Sequence, residues 1–299
     1  MMKFLKDARL QLTLSMVVFG TIGLFVRNIG LPSGEIALYR AVMATVLVGF
    51  VLLFTKQRID FAKIKKELPL LLLSGVAMGF NWILLFEAYN YTTVSVATLS
   101  YYFAPVIVTL VCPLLFKEKM GLKQWLCFGF STLGIVLITG IGDLSAGSNH
   151  IKGIAFGLGA AGLYATVILL NKFIKGVQGL HRTFLQFIAA TAVLVPYVGF
   201  TDGCNLGTLD AKAWVCLLAI GIVHTGITYC LYFSSLKELP GQKAAILSYV
   251  DPLVAVLCSV TILHEKMTSL QIIGGALILG FTLWNEIPTK NLRKNTGKR

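Results

Sequence analysis

A carboxylate inside a long apolar segment is the residue of this chain best placed to do chemistry. Asp251 lies about nine residues, or roughly 14 Å of helix rise, into the apolar run from Gln242 to Leu263. An ionised side chain at that depth in a bilayer costs on the order of 3 kcal/mol, so such residues usually mark an ion or substrate path. The structural alternative is a protonated or hydrogen-bonded acid that holds two helices together. Pro252 follows at once and, like Pro105 in the first half, removes a helical hydrogen bond and frees a carbonyl group.

Hydrogen-bonding and aromatic side chains are predicted at comparable depth. His224, Thr228 and Tyr232 are four residues apart and so share one face of a helix, with Tyr229 beside them. Other segments add candidate residues for the lining of a cavity, namely Asn81, Trp82, Tyr101, Tyr102, Tyr164 and Tyr249. Each of these residues, taken alone, is more often a packing residue. Aromatic walls with one carboxylate suit organic cations through cation–π attraction, and they equally suit amphipathic amino acids.

Charged residues near the ends of the apolar runs are structural or gating candidates. Arg40 and Glu87 fall toward the outer ends of neighbouring helices, which predicts an ion pair between them, with gating as the alternative. Glu118 and Glu265 each begin a Glu-Lys-Met sequence that follows a proline-containing helix.

The sequence carries no strong enzymatic motif. The glycines of Gly157-x-Gly159-x-x-Gly162 match a dinucleotide-binding pattern, but they lie in an apolar run, where small residues let helices approach closely. The chain has no histidine pair of a zinc protease, no Walker loop and no nucleophile elbow. We therefore predict no catalytic residue, no metal ion and no cofactor.

Composition places the chain in lipid. Hydrophobic residues make up 56% of the sequence and charged residues 13%, and the mean hydropathy is +0.79. The net charge of +13 does not indicate nucleic-acid binding, because the basic residues form short clusters between apolar runs.

The apolar runs predict an all-α integral membrane protein with ten transmembrane helices, since roughly 20 residues are needed to cross a bilayer. The predicted spans are Leu10–Ile29, Ser33–Phe54, Leu68–Tyr89, Val94–Phe116, Leu122–Gly140, Gly153–Lys172, Leu180–Phe200, Ala213–Leu236, Gln242–Leu263 and Ser269–Glu286. The predicted organisation is a five-helix repeat (1–141), a connecting loop (142–152), a second five-helix repeat (153–288) and a basic tail (289–299).

The two halves resemble each other at a constant offset. Gly79, Tyr102 and Pro105 are each repeated 147 residues later, and Glu118-Lys119-Met120 is repeated at the same offset from Glu265. A repeat of five helices, an odd number, must insert the second copy upside down, which creates a pseudo-two-fold axis in the membrane plane. Two inverted copies can open a shared cavity first to one side and then to the other.

Positive charge predicts the orientation. The 26 Lys and Arg residues divide as 21 in one set of connections and tails, 4 in the other set, and Arg40 inside a span. Because cytoplasmic loops retain positive charge, we expect both termini in the cytoplasm, with the protein in a bacterial cytoplasmic membrane.

Four features resemble the ten-helix EamA-type family of the drug/metabolite transporter superfamily. They are Phe19-Gly20, Tyr39-Arg40, and the Pro105 and Pro252 helices that each end in Glu-Lys-Met. The resemblance implies a secondary transporter, driven by gradients and with protons as a candidate coupling ion, that exports a small metabolite, amino acid or organic cation. The alternative is a membrane-embedded enzyme or a structural membrane subunit.

Overall fold

The protein is described by a computed structural model, which covers residues 7–55, 61–116, 121–139, 148–177, 179–201, 203–239, 244 and 247–287. Over these residues the secondary structure is helical and contains no strand. Within the described ranges, seven helices are long and apolar enough to cross a membrane, and shorter apolar helices accompany them. The chain is therefore an all-α integral membrane protein, as the sequence predicts.

Helices α1 to α5 form the first half. Their bounds are Ala8–Gly20 and Ile22–Val26 for α1, Ser33–Phe54 for α2, Phe61–Tyr91 for α3, Val94–Tyr101 and Ala104–Phe116 for α4, and Leu122–Thr139 for α5. Helix α3 begins before its predicted span, because hydropathy marks only the lipid-embedded part of a helix and the charged turn ahead of it is also helical.

Helices α6 to α10 form the second half. Their described bounds are Ser148–Phe173 for α6, Gly179–Thr201 for α7, Ala211–Leu218, Ala219–Ile227 and Thr228–Glu238 for α8, Val250–Thr261 for α9, and Ser269–Glu286 for α10. The middle piece of α8 is π-helical. A 3₁₀ turn, Leu206–Thr208, precedes α8.

The packing of the described helices repeats between the halves. Helix α3 packs against α6, and α8, the counterpart of α3, packs against α1, the counterpart of α6. Helix α3 also packs against α7, and in the same way α8 packs against α2. Three contacts join a helix to its own counterpart, namely α2 with α7, α4 with α9, and α5 with α10. This is the contact pattern of two five-helix repeats related by a pseudo-two-fold axis.

Counterpart helices run in opposite directions. Along α5 and α10, the Lys123 ammonium group donates to the carbonyl of Asn285 at 3.3 Å, whereas the ring centroids of Phe130 and Phe281 are 4.3 Å apart. The residue numbers rise along α5 from 123 to 130 while those of the contacted residues fall along α10 from 285 to 281, so the two helices are antiparallel. Antiparallel counterparts are what an inverted repeat requires.

Helices α4 and α9 are interrupted near their middles. Helix α4 breaks between Tyr101 and Ala104, and α9 begins at Val250 after a turn at Tyr249. Pro105 and Pro252 follow these breaks, and each lacks the N–H group that would continue the helical ladder. The two interruptions lie at equivalent positions of the repeats.

For orientation, the end of the bundle where α1 begins and α10 ends is called the near end. The opposite end, where α1 ends and α10 begins, is called the far end.

Candidate binding cavity

A cavity of about 440 Å³ lies between the two halves of the bundle. Residues from every helix except α5 line it, so both repeats contribute to its wall. Ligand pockets in proteins commonly enclose roughly 300–1,000 Å³, so this volume suits a small organic molecule.

Asp251 joins the two interrupted helices inside the cavity. The Tyr102 hydroxyl group of α4 donates to Oδ2 of Asp251 at 2.5 Å, and both residues line the cavity. Both residues lie at an interruption, because Tyr102 is in the break of α4 and Asp251 is in the first turn of α9, just after the turn at Tyr249. A hydrogen bond therefore links the two repeats at the interruptions of α4 and α9.

Tyrosine side chains form most of the aromatic wall. The Tyr101 and Tyr164 rings stack with centroids 5.3 Å apart, and Tyr229 meets Phe19 edge to face at 5.2 Å. Tyr232 lies beside Tyr229, with ring centroids 6.5 Å apart. Trp82, Tyr249 and Pro105, also predicted as site or gating residues, line the same cavity.

Arg40 is buried, and it is not paired with Glu87. Its Nε donates to Thr225 Oγ1 at 2.6 Å, and its guanidinium carbon lies 4.4 Å from the ring centroid of Trp82. Glu87 instead accepts a hydrogen bond from the Ser33 hydroxyl group at 2.6 Å. The predicted ion pair is therefore wrong, because Arg40 points into the cavity whereas Glu87 is bound at the start of α2.

Three predicted lining residues face other parts of the bundle. In and next to the π-helical segment of α8, side chains bond to carbonyls five residues earlier in the chain. His224 contacts Thr21 at 3.0 Å, the Thr228 hydroxyl group donates to the Val223 carbonyl, and neither residue lines the cavity.

The third of these residues is Asn81 of α3. Its side-chain amide donates to the Ala160 carbonyl of α6 at 2.6 Å and is buried. Asn81 thus joins two packed helices and does not line the cavity.

Glu265 anchors a polar cluster at the far end. Its carboxylate pairs with Arg27 at 3.0 Å and accepts a hydrogen bond from the Val94 N–H at 2.8 Å. Arg27 also donates to the Thr92 carbonyl at 2.6 Å. The cluster of Arg27, Thr92, Val94 and Glu265, together with Ser259, which donates to Glu265, is called the far-end seal.

The far-end seal lies one helical turn beyond the cavity. Thr98 and Ala255 line the cavity, and one turn further out Ser95 and Ser259 are fully buried, with the Ser95 N–H donating to Ser259 at 3.3 Å. The far end is therefore closed by contacts between α4, α9 and the end of α1. Pro252 is buried in the first turn of α9, and Glu118 falls outside the described residues.

The cavity reaches the near end through polar residues that sequence reasoning missed. Arg182 lies in the first turn of α7, and Glu286 is the last residue of α10. Gln186 lines the cavity one turn after Arg182, and its amide donates to Asn171 Oδ1 at 2.8 Å. The spacing of Arg182 and Gln186, four residues apart at a helix start, was the available signal.

Within the described part of the chain, no group of three or more His, Cys, Asp or Glu side chains is placed to hold a metal ion. The polar groups that face the cavity are carboxylates, guanidinium groups, amides and hydroxyl groups.

Inverted helical repeats around a central cavity define a class of membrane transporters. The model of the EamA-like transporter family matches residues 9–140 and 151–285, so this chain belongs to the EamA-like transporter family.

Relatives agree with this assignment, and a solved structure shares the fold. The chain is 32% identical over 272 residues to the Bacillus subtilis protein named uncharacterized transporter YxxF, covering 91% of this chain and 86% of that protein. It is 29% identical over 281 residues to an uncharacterized transporter of Archaeoglobus fulgidus, covering 92% and 95%. A solved crystal structure shares the fold with a TM-score of 0.64 at 14% identity, covering 92% of this chain and 95% of that one.

Proposed function

We propose that the protein is a secondary transporter that moves a small molecule by alternating access, with the central cavity as its substrate site. The observation that carries this proposal is the asymmetry of the two ends. The cavity extends to Arg182 and Glu286 at the near end, whereas the far-end seal closes the other.

The repeats supply the means of reversal. Because inverted repeats are structurally equivalent, exchanging their conformations would open the far-end seal and close the near end. The Tyr102–Asp251 hydrogen bond joins the interrupted helices at the level of the cavity, where a rocking motion must be accommodated.

Charge supports the proposed direction and coupling. In the sequence, most basic residues fall in the tails and in the connections predicted to share their side, which supports cytoplasmic termini in a bacterial cell and a cavity open to the cytoplasmic side. A substrate loaded there is exported, and Asp251 is the group that would couple its movement to protons, because burial and substrate contact change the cost of its charge. Metabolites, amino acids and organic cations all fit a cavity of this size.

The test is a ligand screen followed by flux. Purified protein is first heated with individual amino acids, carboxylic acids and organic cations, because a ligand that binds only the folded state raises the melting temperature with concentration. Compounds that stabilise the protein are then followed across proteoliposome membranes, with a trapped pH-sensitive dye to report protons. Stabilising compounds that never cross would contradict a carrier.

Asp251→Asn tests the coupling. The variant should abolish proton-coupled flux while leaving the protein folded, because the amide cannot exchange a proton. Asp210→Asn is the matched control: Asp210 caps α8 by accepting from the Ala213 N–H at 2.7 Å, and Asn caps helices equally well. Unchanged flux and pH dependence in Asp251→Asn would remove Asp251 from the mechanism.

A further inference from the structure

We infer that Arg40 binds a carboxylate group of the substrate, so that the cavity selects small organic acids or zwitterions with an apolar body over organic cations. This inference rests on the proposed function, because it treats the cavity as a substrate site. It also decides between substrate classes that the aromatic wall alone does not separate.

Arg40 is a buried cation without an acidic partner. Its exposed fraction is 4%, and the one ion pair among the described residues joins Arg27 to Glu265. A guanidinium group in such surroundings strongly favours a counter-ion, because removing a charge from water is costly unless it is paired. The far-end ion pair does not supply that partner.

The donors of Arg40 are mostly uncommitted. An arginine side chain has five N–H donors, and among the described residues Arg40 uses one, the Nε–H to Thr225. The four N–H groups on the two Nη atoms form the fork that matches a carboxylate with two parallel hydrogen bonds. Arg40 itself lines the cavity, so a ligand inside can meet this fork.

Aromatic rings fix the orientation of the fork. The guanidinium carbon lies 4.4 Å from the ring centroid of Trp82 and 5.6 Å from that of Phe86. These rings stabilise the cation through their faces, but they accept no conventional hydrogen bond from the Nη atoms. The edge of the guanidinium group is thereby left for an anion.

The other charges of the cavity are consistent with this assignment. Asp251 accepts the hydroxyl group of Tyr102 and forms no ion pair with Arg40 in the described part of the chain. At the near end, Arg182 donates to the Asn171 backbone carbonyl at 3.4 Å and forms no ion pair among the described residues, and Glu286 also lines the cavity. An anionic group thus meets one cation where it enters and a second where it binds, with Asp251 available for an ammonium group.

The experiment compares three probes that share a phenyl ring and a short chain. They are 3-phenylpropionate, its neutral isostere 3-phenylpropionamide, and the cation phenethylamine. Dissociation constants are measured by calorimetry on the detergent-purified full-length protein. We expect the carboxylate to bind about ten- to a hundredfold more tightly than the amide, which is the range for charge-assisted hydrogen bonds.

Three variants assign that preference to Arg40. Arg40→Gln should erase the preference for carboxylate over amide, and Arg40→Lys should retain part of it, because the charge stays while the fork is lost. Lys212→Gln, which removes one exposed cation outside the cavity, should leave it unchanged. Size-exclusion chromatography reports folding; if Arg40→Gln does not fold, Arg40→Lys and the wild-type probe series carry the test.

Several outcomes overturn the inference. They are tighter wild-type binding of phenethylamine or of the amide, no wild-type binding of 3-phenylpropionate, or an undiminished carboxylate preference in the folded Arg40 variants. Flux of organic cations with no selectivity for carboxylates would overturn it and leave the carrier function intact. Carboxylate-selective binding by a protein that moves no ligand would support the site and contradict the carrier.

Discussion

A methyl group added at Gly134 tests the antiparallel contact between α5 and α10. A Cβ atom there would lie 2.6 Å from the Gly274 carbonyl oxygen and 2.8 Å from Cγ1 of Ile278. Carbon–oxygen contacts between packed helices are normally about 3.3–3.6 Å, so the helices must separate by roughly 0.7–1.0 Å. Overpacking of this kind costs about 1–3 kcal/mol.

Gly134→Ala should therefore lower the melting temperature of the detergent-purified protein by roughly 2–12 °C. The contact is reciprocal, since a Cβ at Gly274 would lie 2.5 Å from the Gly134 carbonyl oxygen. Gly274→Ala should thus cause a similar loss. The double variant should lose less than the two single losses together, because one separation relieves both clashes.

Two glycines on the same helices serve as matched controls. A Cβ at Gly129 of α5 or at Gly280 of α10 meets nothing within 4 Å. Alanine at either position should be neutral or should stabilise the helix by about 0.5–1 kcal/mol. Melting of Gly134→Ala at or above the temperature of Gly129→Ala would refute the close approach of the two helices.

Three further substitutions have distinct expected outcomes. Arg182→Gln should raise the KM for an anionic substrate more than it lowers the maximal rate, because the near-end cation attracts the substrate before binding. The rise in KM should shrink at high salt, and an unchanged KM at low salt would contradict this reasoning. Glu67→Gln should lower the melting temperature, since the Glu67 carboxylate accepts N–H groups from three consecutive residues, including Gly176 at 2.8 Å; Glu238→Gln is the control for a lost exposed carboxylate. Asn81→Ala should cost about 0.6–2 kcal/mol of stability through the lost hydrogen bond to Ala160 and should leave ligand affinity unchanged. Weaker ligand binding by a stable variant would indicate instead that Asn81 lines the cavity.

Much of the architecture was predictable because lipid imposes strong constraints. Apolar runs long enough to cross a bilayer mark the helices, and the offset of 147 between Tyr102 and Tyr249 marks the repeat. Asp251 stood out because a carboxylate is costly in such a run. These signals depend on composition and spacing alone, and the structure brings all three residues to one cavity.

The remaining features depend on backbone detail and on contacts distant in sequence. His224 contacts Thr21, and Thr228 donates to the Val223 carbonyl five residues before it, so neither lines the cavity. The pattern of apolar residues does not reveal the π-helical segment in which this bonding begins. The predicted pair of Arg40 and Glu87 joins neighbouring helices, whereas Thr225, the observed partner of Arg40, is 185 residues away in the chain. Arg182 was missed because a basic residue at the end of a predicted span is counted among the cytoplasmic charges that set the orientation.

The most direct test of alternating access is to lock the far-end seal. Arg27 and Glu265, whose side chains are 3.0 Å apart, are replaced by cysteine in a protein without its native cysteines and joined by a cleavable bifunctional thiol reagent about 10 Å long. Proteins with either cysteine alone, treated identically, are the controls. The account predicts that the cross-linked protein still binds its ligand from the near end but transports none, and that cleavage of the linker restores flux. Transport at the control rate with the cross-link intact would contradict it.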